Sequence, residues 1–166
     1  IVDDWMKANK LFFNYNKTEY ILFRLNRRTN INYYKIKIGD NEIKRVTHTK
    51  FLGIHFDEKL NWNHQLEIIL QKLRQSKYIM RKCHHLNSKT KYMLYMSHVQ
   101  SHLLYGISSW GPMLNATQRQ KLRNMLKSII KLSNIQDVDK KKIMNLDQLI
   151  SMNELIYMYN ITRKTL

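Results

Sequence analysis

The sequence predicts an α+β fold, a small antiparallel sheet followed by an α-helical bundle, and three observations carry that expectation. Between Glu19 and Phe56, short runs rich in β-branched and aromatic residues are separated by turn residues. After Asp57 the apolar residues take up helical spacing and keep it. With 166 residues, 43% of them hydrophobic, the chain holds enough material for one ordinary domain or two small units sharing a core.

Val2, Trp5 and Met6 have helical spacing, and Asn9 and Lys10 suit the end of that short helix. Asp3 and Asp4 stand at its start, where acids complement the positive end of the helix dipole; this reading is preferred to a metal-binding pair. Asn16, Lys17 and Thr18 form a turn leading into a strand over Glu19 to Leu25. Lys35 to Ile38 and Glu42 to Val46 alternate on either side of Gly39, Asp40 and Asn41, a hairpin pattern. Lys50 to Phe56 continues the sheet, and Gly53 in its middle marks a bulge or a close backbone approach. The boundary to the helical part falls near Asp57 to Trp62.

Asn61 is the expected cap of a helix whose buried face is Leu66, Ile69, Leu70, Leu73 and Met80. Ser88 opens a second helix with Tyr92, Tyr95, Met96, Val99 and Leu103, which Gly106 ends. Gly111 and Pro112 break the chain, and Thr117 caps a third helix with Leu122, Met125, Leu126, Ile129 and Ile130 inward. A fourth helix covers about Asp147 to Tyr159. The expected organisation is therefore residues 1–60, 61–136 and a helical extension at 137–166.

Lys and Arg number 29 against 12 acids, a net charge of +17, and a polyanionic partner is the first inference. With 4 Gly, 1 Pro and abundant Asn, Lys, Ile and Tyr, the composition looks like an adenine- and thymine-biased coding sequence, which inflates lysine without selection for binding. The placement of the charge survives that discount. From Glu67 to Asp137 there is no acid between, while the interval carries twelve bases, including Lys72, Arg74, Lys77, Arg81, Arg123, Lys127 and Lys131. An ordinary solvated helix face interleaves both signs. Arg119, Arg123, Lys127 and Lys131 are four residues apart, a ridge about 18 Å long at roughly 1.5 Å per residue, long enough to track several phosphates. The seven named cations are the candidate nucleic-acid contacts, by shape and backbone rather than base readout.

Other classes are excluded or disfavoured. One cysteine, Cys83, rules out a disulfide framework and fits a reducing compartment, nucleus or cytoplasm. The apolar runs are far shorter than the roughly 20 residues of a membrane span. Cys83, His84, His85, His98 and His102 have loose spacing for zinc, and no metal site is assigned. Ser108 and Ser109 have no acid and base partners that the sequence locates.

Several short segments occur in the order found in one family. Trp5, Met6, Asn9, Lys10, Leu11, Asn16, Lys17, Thr18 and Phe23 resemble the "W...NKL...K(T)...F" stretch of motif D in reverse transcriptases of non-LTR retrotransposons of the jockey type. Lys50, Phe51, Leu52, Gly53 and Ile54 resemble the "(K)(Y/F)LGI" segment of motif E, the primer grip. Leu60, Trp62 and His64 are similar to the opening of the thumb, and Leu94, Tyr95, His102, Leu103, Tyr105, Gly106, Trp110 and Gly111 to its "LY......HL.YG...WG" signature.

The resemblance implies a palm edge and thumb. It implies a leaving-group role for the motif D lysine, Lys17, with Phe51 and Leu52 packing in a primer grip and Gly53 admitting the primer backbone. Template and primer, as an RNA:DNA hybrid or duplex of RNA and DNA, are the implied partners, along with fingers and palm lying before Ile1. The family's metal-holding aspartates belong to that earlier region, so Mg2+ is implied for the complete polymerase, with no cofactor and no activity expected of this chain alone. Two other readings stay open: a stand-alone nucleic-acid-binding protein derived from such an element, and a helical protein-interaction module.

Overall fold

The computed structural model describes residues 2–23 and 35–164, and it is α+β. The chain divides into two compact units, Ile1–Leu60 and Asn61–Leu166.

The first unit begins with α1, Val2–Ala8, closed by Asn9, whose side-chain Nδ2 and backbone N both donate to the Trp5 carbonyl. A single 3-10 turn, Tyr15–Lys17, is capped by Asn14 and leads into β1, Glu19–Ile21. Leu25, the expected end of that strand, lies outside the described residues. β2 (Lys37–Ile38) and β3 (Asn41–Glu42) form the expected antiparallel hairpin around Gly39 and Asp40. β4, Lys44–Val46, pairs with β1 in parallel, Tyr20 opposite Arg45. Among the described residues the strands thus form three two-stranded ladders rather than one continuous antiparallel sheet. A parallel pair needs a long crossover, which here includes the β2–β3 hairpin.

The largest departure from expectation is at Gly53. Residues 50–56 are not one strand: β5 (His48–Phe51) and β6 (Ile54–Asp57) are an antiparallel hairpin in which Phe51 faces Ile54. Leu52 and Gly53 are its two-residue turn, at φ of 46° and 83°. Positive φ at both central positions is the turn whose twist matches a hairpin, and glycine takes it without strain. Arg45 secures the far end by an ion pair of 3.0 Å to Glu58, just beyond β6.

The second unit is helical: α2 (Asn63–Lys82), α3 (Ser88–Tyr95), α4 (Ser101–Leu104), α5 (Ile107–Trp110), α6 (Ala116–Ser133), α7 (Asp137–Lys140) and α8 (Leu146–Lys164). The caps differ from the expected ones by a residue or two. Trp62, buried in the left-handed conformation, occupies the cap position of α2, while Asn61 Oδ1 accepts from Asn63 N. Ser88 opens α3 as expected, behind Asn87 as its cap. Asn115 rather than Thr117 caps α6, through a reciprocal capping box with Gln118. Gln118 also donates to Asn61 O and Asn63 Oδ1, both at 2.8 Å, so the N-termini of α2 and α6 lie side by side and the two helices run parallel.

The core of this unit is built from the expected apolar faces. Leu73, Met80, Val99, Leu103, Ile107, Trp110, Leu122 and Ile129 are essentially inaccessible. Between α3 and α4 the chain takes one π-helical segment, Met96–Gln100. Such a wide turn releases a carbonyl from its helical partner, and the buried Ser76 hydroxyl lies 2.7 Å from His98 O. Gly111 closes α5 where α8 comes nearest. A Cβ there would meet Ile107 O at 2.6 Å and Ile150 Cγ1 at 3.0 Å, so only glycine fits. Leu146, Leu149 and Ile150 of α8 are buried, whereas its second half is exposed from Glu154 to Arg163. Among the described residues no helix is long and apolar enough to cross a membrane.

Candidate nucleic-acid interface

The acid-free interval of the sequence acquires acids in space. Asp147, at the start of α8, receives Arg123 through a fork, Nη2 at 2.8 Å from both carboxylate oxygens and Nε at 3.2 Å from one. Arg119 also reaches Asp147, at 3.7 Å, and spends its other donors on Leu114 O and Pro112 O. Asp139 of α7 accepts from Ser88 at 2.8 Å and from Lys142 at 3.1 Å. The Ser88 hydroxyl, then Lys142, holds the Asp139 carboxyl below the usual aspartate value. Lys91 is buried, with Nζ turned to Asn134 O at the carbonyl end of α6, where a cation is favoured.

These partners sort the seven candidate cations. A step of four residues turns a helix by about 40° beyond one revolution, so the ridge from Arg119 to Lys131 winds about 120° around α6. Its first two members lie beside the buried face and are tied to Asp147, while Lys127 and Lys131 are exposed and make no ion pair among the described residues. On α2, Arg74, Lys77 and Arg81 fall within about 60° of one another at roughly 100° per residue. Lys72 stands about 160° from Arg74, on the flank where its charge, after burial, helps lower the His102 pKa. Arg123 and Lys72 are thus separated from the rest, the one by its carboxylate and the other by its direction.

What remains is two strips. One is Arg74, Lys77 and Arg81 along α2, none in an ion pair among the described residues. At its end a cleft of about 500 Å³ is lined by Tyr78, Arg81, Lys82, His84 and Leu132, with Lys82 Nζ 5.7 Å from the centre of the Tyr78 ring. Tyr78, 63% exposed, is an aromatic neighbour of the cations that the charge pattern did not single out. The second strip is Lys127 and Lys131, on the flank of α6 turned away from Leu132 and so from that cleft.

The first unit carries the other candidates. Lys17 closes the 3-10 turn with an exposed side chain, its backbone N donating to Asn14 Oδ1. Phe51 and Leu52 do not pack inward as expected; at the β5–β6 tip they are 63% and 76% exposed. A two-residue turn leaves no neighbouring strand to cover them. Gly53 sits beside them, where backbone is open to approach.

Among the described residues no three His, Cys, Asp or Glu side chains converge on a point that could hold a metal ion. His98 and His102, four apart, are separated by the end of the π-helical segment, and Cys83 follows α2 with its backbone N bonded to Ile79 O. No protein-family model, curated protein or solved structure matches the chain.

Proposed function

We propose that the chain is the palm edge and thumb of an RNA-directed DNA polymerase of a non-LTR retrotransposon, and that its helical unit holds template and primer by their phosphates. The order of the motif-like segments supports the family. The observation that carries the binding reading is Arg74, Lys77 and Arg81 on one flank of α2, in no ion pair among the described residues while Asp139 and Asp147 have found cations. Such a strip follows a backbone without reading bases. The bare apolar tip at Phe51 and Leu52 beside Gly53 suits a hairpin that leans on a primer end. Lys17 is the motif D lysine of this reading. Its leaving-group role and Mg2+ belong to the complete polymerase, whose fingers and aspartate-bearing palm supply the catalytic carboxylates.

The test is titration of the chain with a labelled RNA:DNA hybrid over a salt series. Five free cations, Arg74, Lys77, Arg81, Lys127 and Lys131, set a slope of log K on log salt near −4.5 at about −0.9 per phosphate. Affinity then falls about 500-fold between roughly 50 and 200 mM salt. A response flat in salt removes the reading. One observation favours a protein-interaction module instead: Leu155, Ile156, Tyr157, Met158, Tyr159 and Ile161 of α8 are all exposed. That reading gains if the hybrid does not bind.

A further inference from the structure

A second cleft lies on the other flank of α6, and its chemistry differs from that of a phosphate-tracking strip. It measures about 250 Å³ and is bounded by the end of α3, one flank of α6 and the segment that begins α8. Its walls are apolar: Leu126 and Ile130 of α6 on one side, Met144 and Leu146 on the other. Tyr95 lines it too, at 1% exposure. The Tyr95 hydroxyl has no hydrogen-bond partner among the described residues, and it is not one of the fully enclosed unpaired polar atoms. Polar groups complete the lining: Asn145, Arg123 with the Asp147 that fixes it, and Lys127, which has no ion pair among the described residues.

We propose that this cleft receives one unstacked nucleobase of a bound strand, with the Tyr95 hydroxyl meeting the edge of the ring and Lys127 its phosphate. The inference rests on the reading of the helical unit as a nucleic-acid holder and adds a site for a base where that reading gave only phosphates. Each part of a nucleotide finds its counterpart. The ring faces meet aliphatic side chains and a methionine, the polar edge meets a hydroxyl that is otherwise idle, and the anion meets the free cation. Burying a hydroxyl without a partner is costly. An acyl chain or a leucine side chain would leave it so, and inorganic phosphate would leave the walls empty. The volume lies just below the range of drug-sized pockets, which suits a single ring system better than a larger ligand. Burial also pushes the Tyr95 pKa up to about 12, so the hydroxyl stays protonated and able to donate at any ordinary pH.

The experiment compares adenosine and uridine 5′-monophosphates with ribose 5-phosphate on the full chain by isothermal titration. The base is expected to add at least about tenfold to the affinity of the sugar phosphate, the scale of one base held against a protein surface. Tyr95→Phe, which preserves the packing, should weaken nucleotide binding by roughly 3- to 10-fold and leave ribose 5-phosphate unchanged. Ile130→Trp fills the cleft and should bring the nucleotides down to the sugar-phosphate level. Equal binding of nucleotides and ribose 5-phosphate overturns the inference, as does a Tyr95→Phe chain that binds nucleotides normally. If Ile130→Trp lacks a cooperative melt, Tyr95→Phe decides alone. Titration with the hybrid separates the two readings: salt-dependent binding of the hybrid together with no nucleotide preference removes only the base site. A nucleotide preference without binding of the hybrid removes only the phosphate-tracking surface.

Discussion

Replacing Arg74, Lys77 and Arg81 together by alanine tests whether the α2 strip is a surface for phosphates. Arg74 and Arg81 are exposed, Lys77 is half-buried at the border of the apolar face, and none of the three is in an ion pair among the described residues. Their removal therefore opens no cavity and strands no buried charge, and the expected change in stability is within about 0.5 kcal/mol. The effect on binding is far larger. Each lost phosphate contact lowers the salt slope by about 0.9, so three lower it by about 2.7. Referred to 1 M salt, where the electrostatic contribution vanishes, that is roughly a 500-fold loss of affinity at about 0.1 M. Fluorescence anisotropy with a labelled RNA:DNA hybrid, at five or more salt concentrations, reads both quantities from one experiment. A triple variant with the parent's slope would refute the reasoning, even if its affinity at one salt concentration had fallen, because only the slope counts displaced counterions.

Asp147→Asn should act in the opposite sense: it frees Arg123 from its fork and is expected to steepen the salt slope by about 0.9, at a stability cost of about 1 kcal/mol or less for a half-exposed pair; an unchanged slope would show that Arg123 does not reach the nucleic acid. Gly111→Ala drives a methyl into a backbone carbonyl and Ile150, and should destabilise the helical unit by about 1 to 3 kcal/mol in a urea melt. The His102 pKa is lowered by burial first, then by Lys72 and His98. Its unfolded form therefore takes up a proton more readily than the folded one, so the contribution is intact above about pH 6.5 and stability declines as pH falls from there through the folded value. His102→Gln should flatten that part of a plot of melting temperature against pH, and an identical curve would count against the assignment.

The helices were legible because burial in a bundle writes itself into spacing. Leu66, Ile69, Leu70, Leu73 and Met80 recur on one stripe of α2, and Leu122, Leu126 and Ile129 on one of α6. The caps were written as well, in a pattern that went unread. Asn115 with Gln118, and Asn145 with Gln148, are the same Asn-x-x-Gln box, which outweighs an isolated Thr117 because it satisfies two backbone donors. Gly53 misled for a different reason. The hairpin turn that needs positive φ twice is ordinarily signalled by Asn-Gly or Asp-Gly; Leu52 carries no such signal, and the flanking apolar residues then resemble an unbroken strand.

Charge was the least legible property, because a sequence interval is not a surface. Between Glu67 and Asp137 the chain has no acid, yet α7 and α8 return Asp139 and Asp147 to it. The aspartate at the head of α8 fulfils two roles at once. It lies in the first helical turn, where a negative charge is favoured by the dipole, and it compensates the two arginines closest to the core. Those arginines sit where the ridge of α6 meets its neighbours, so an unpaired guanidinium there would be the costliest of the set. On α6 the cations left without an acid among the described residues, Lys127 and Lys131, are the exposed ones, where water screens them, while the buried Lys91 of α3 has the Asn134 carbonyl in place of an acid. Along the ridge of α6 pairing has therefore followed desolvation, and Arg74, Lys77, Arg81, Lys127 and Lys131, which no acid claims among the described residues, are the cations that the proposed reading assigns to a bound strand.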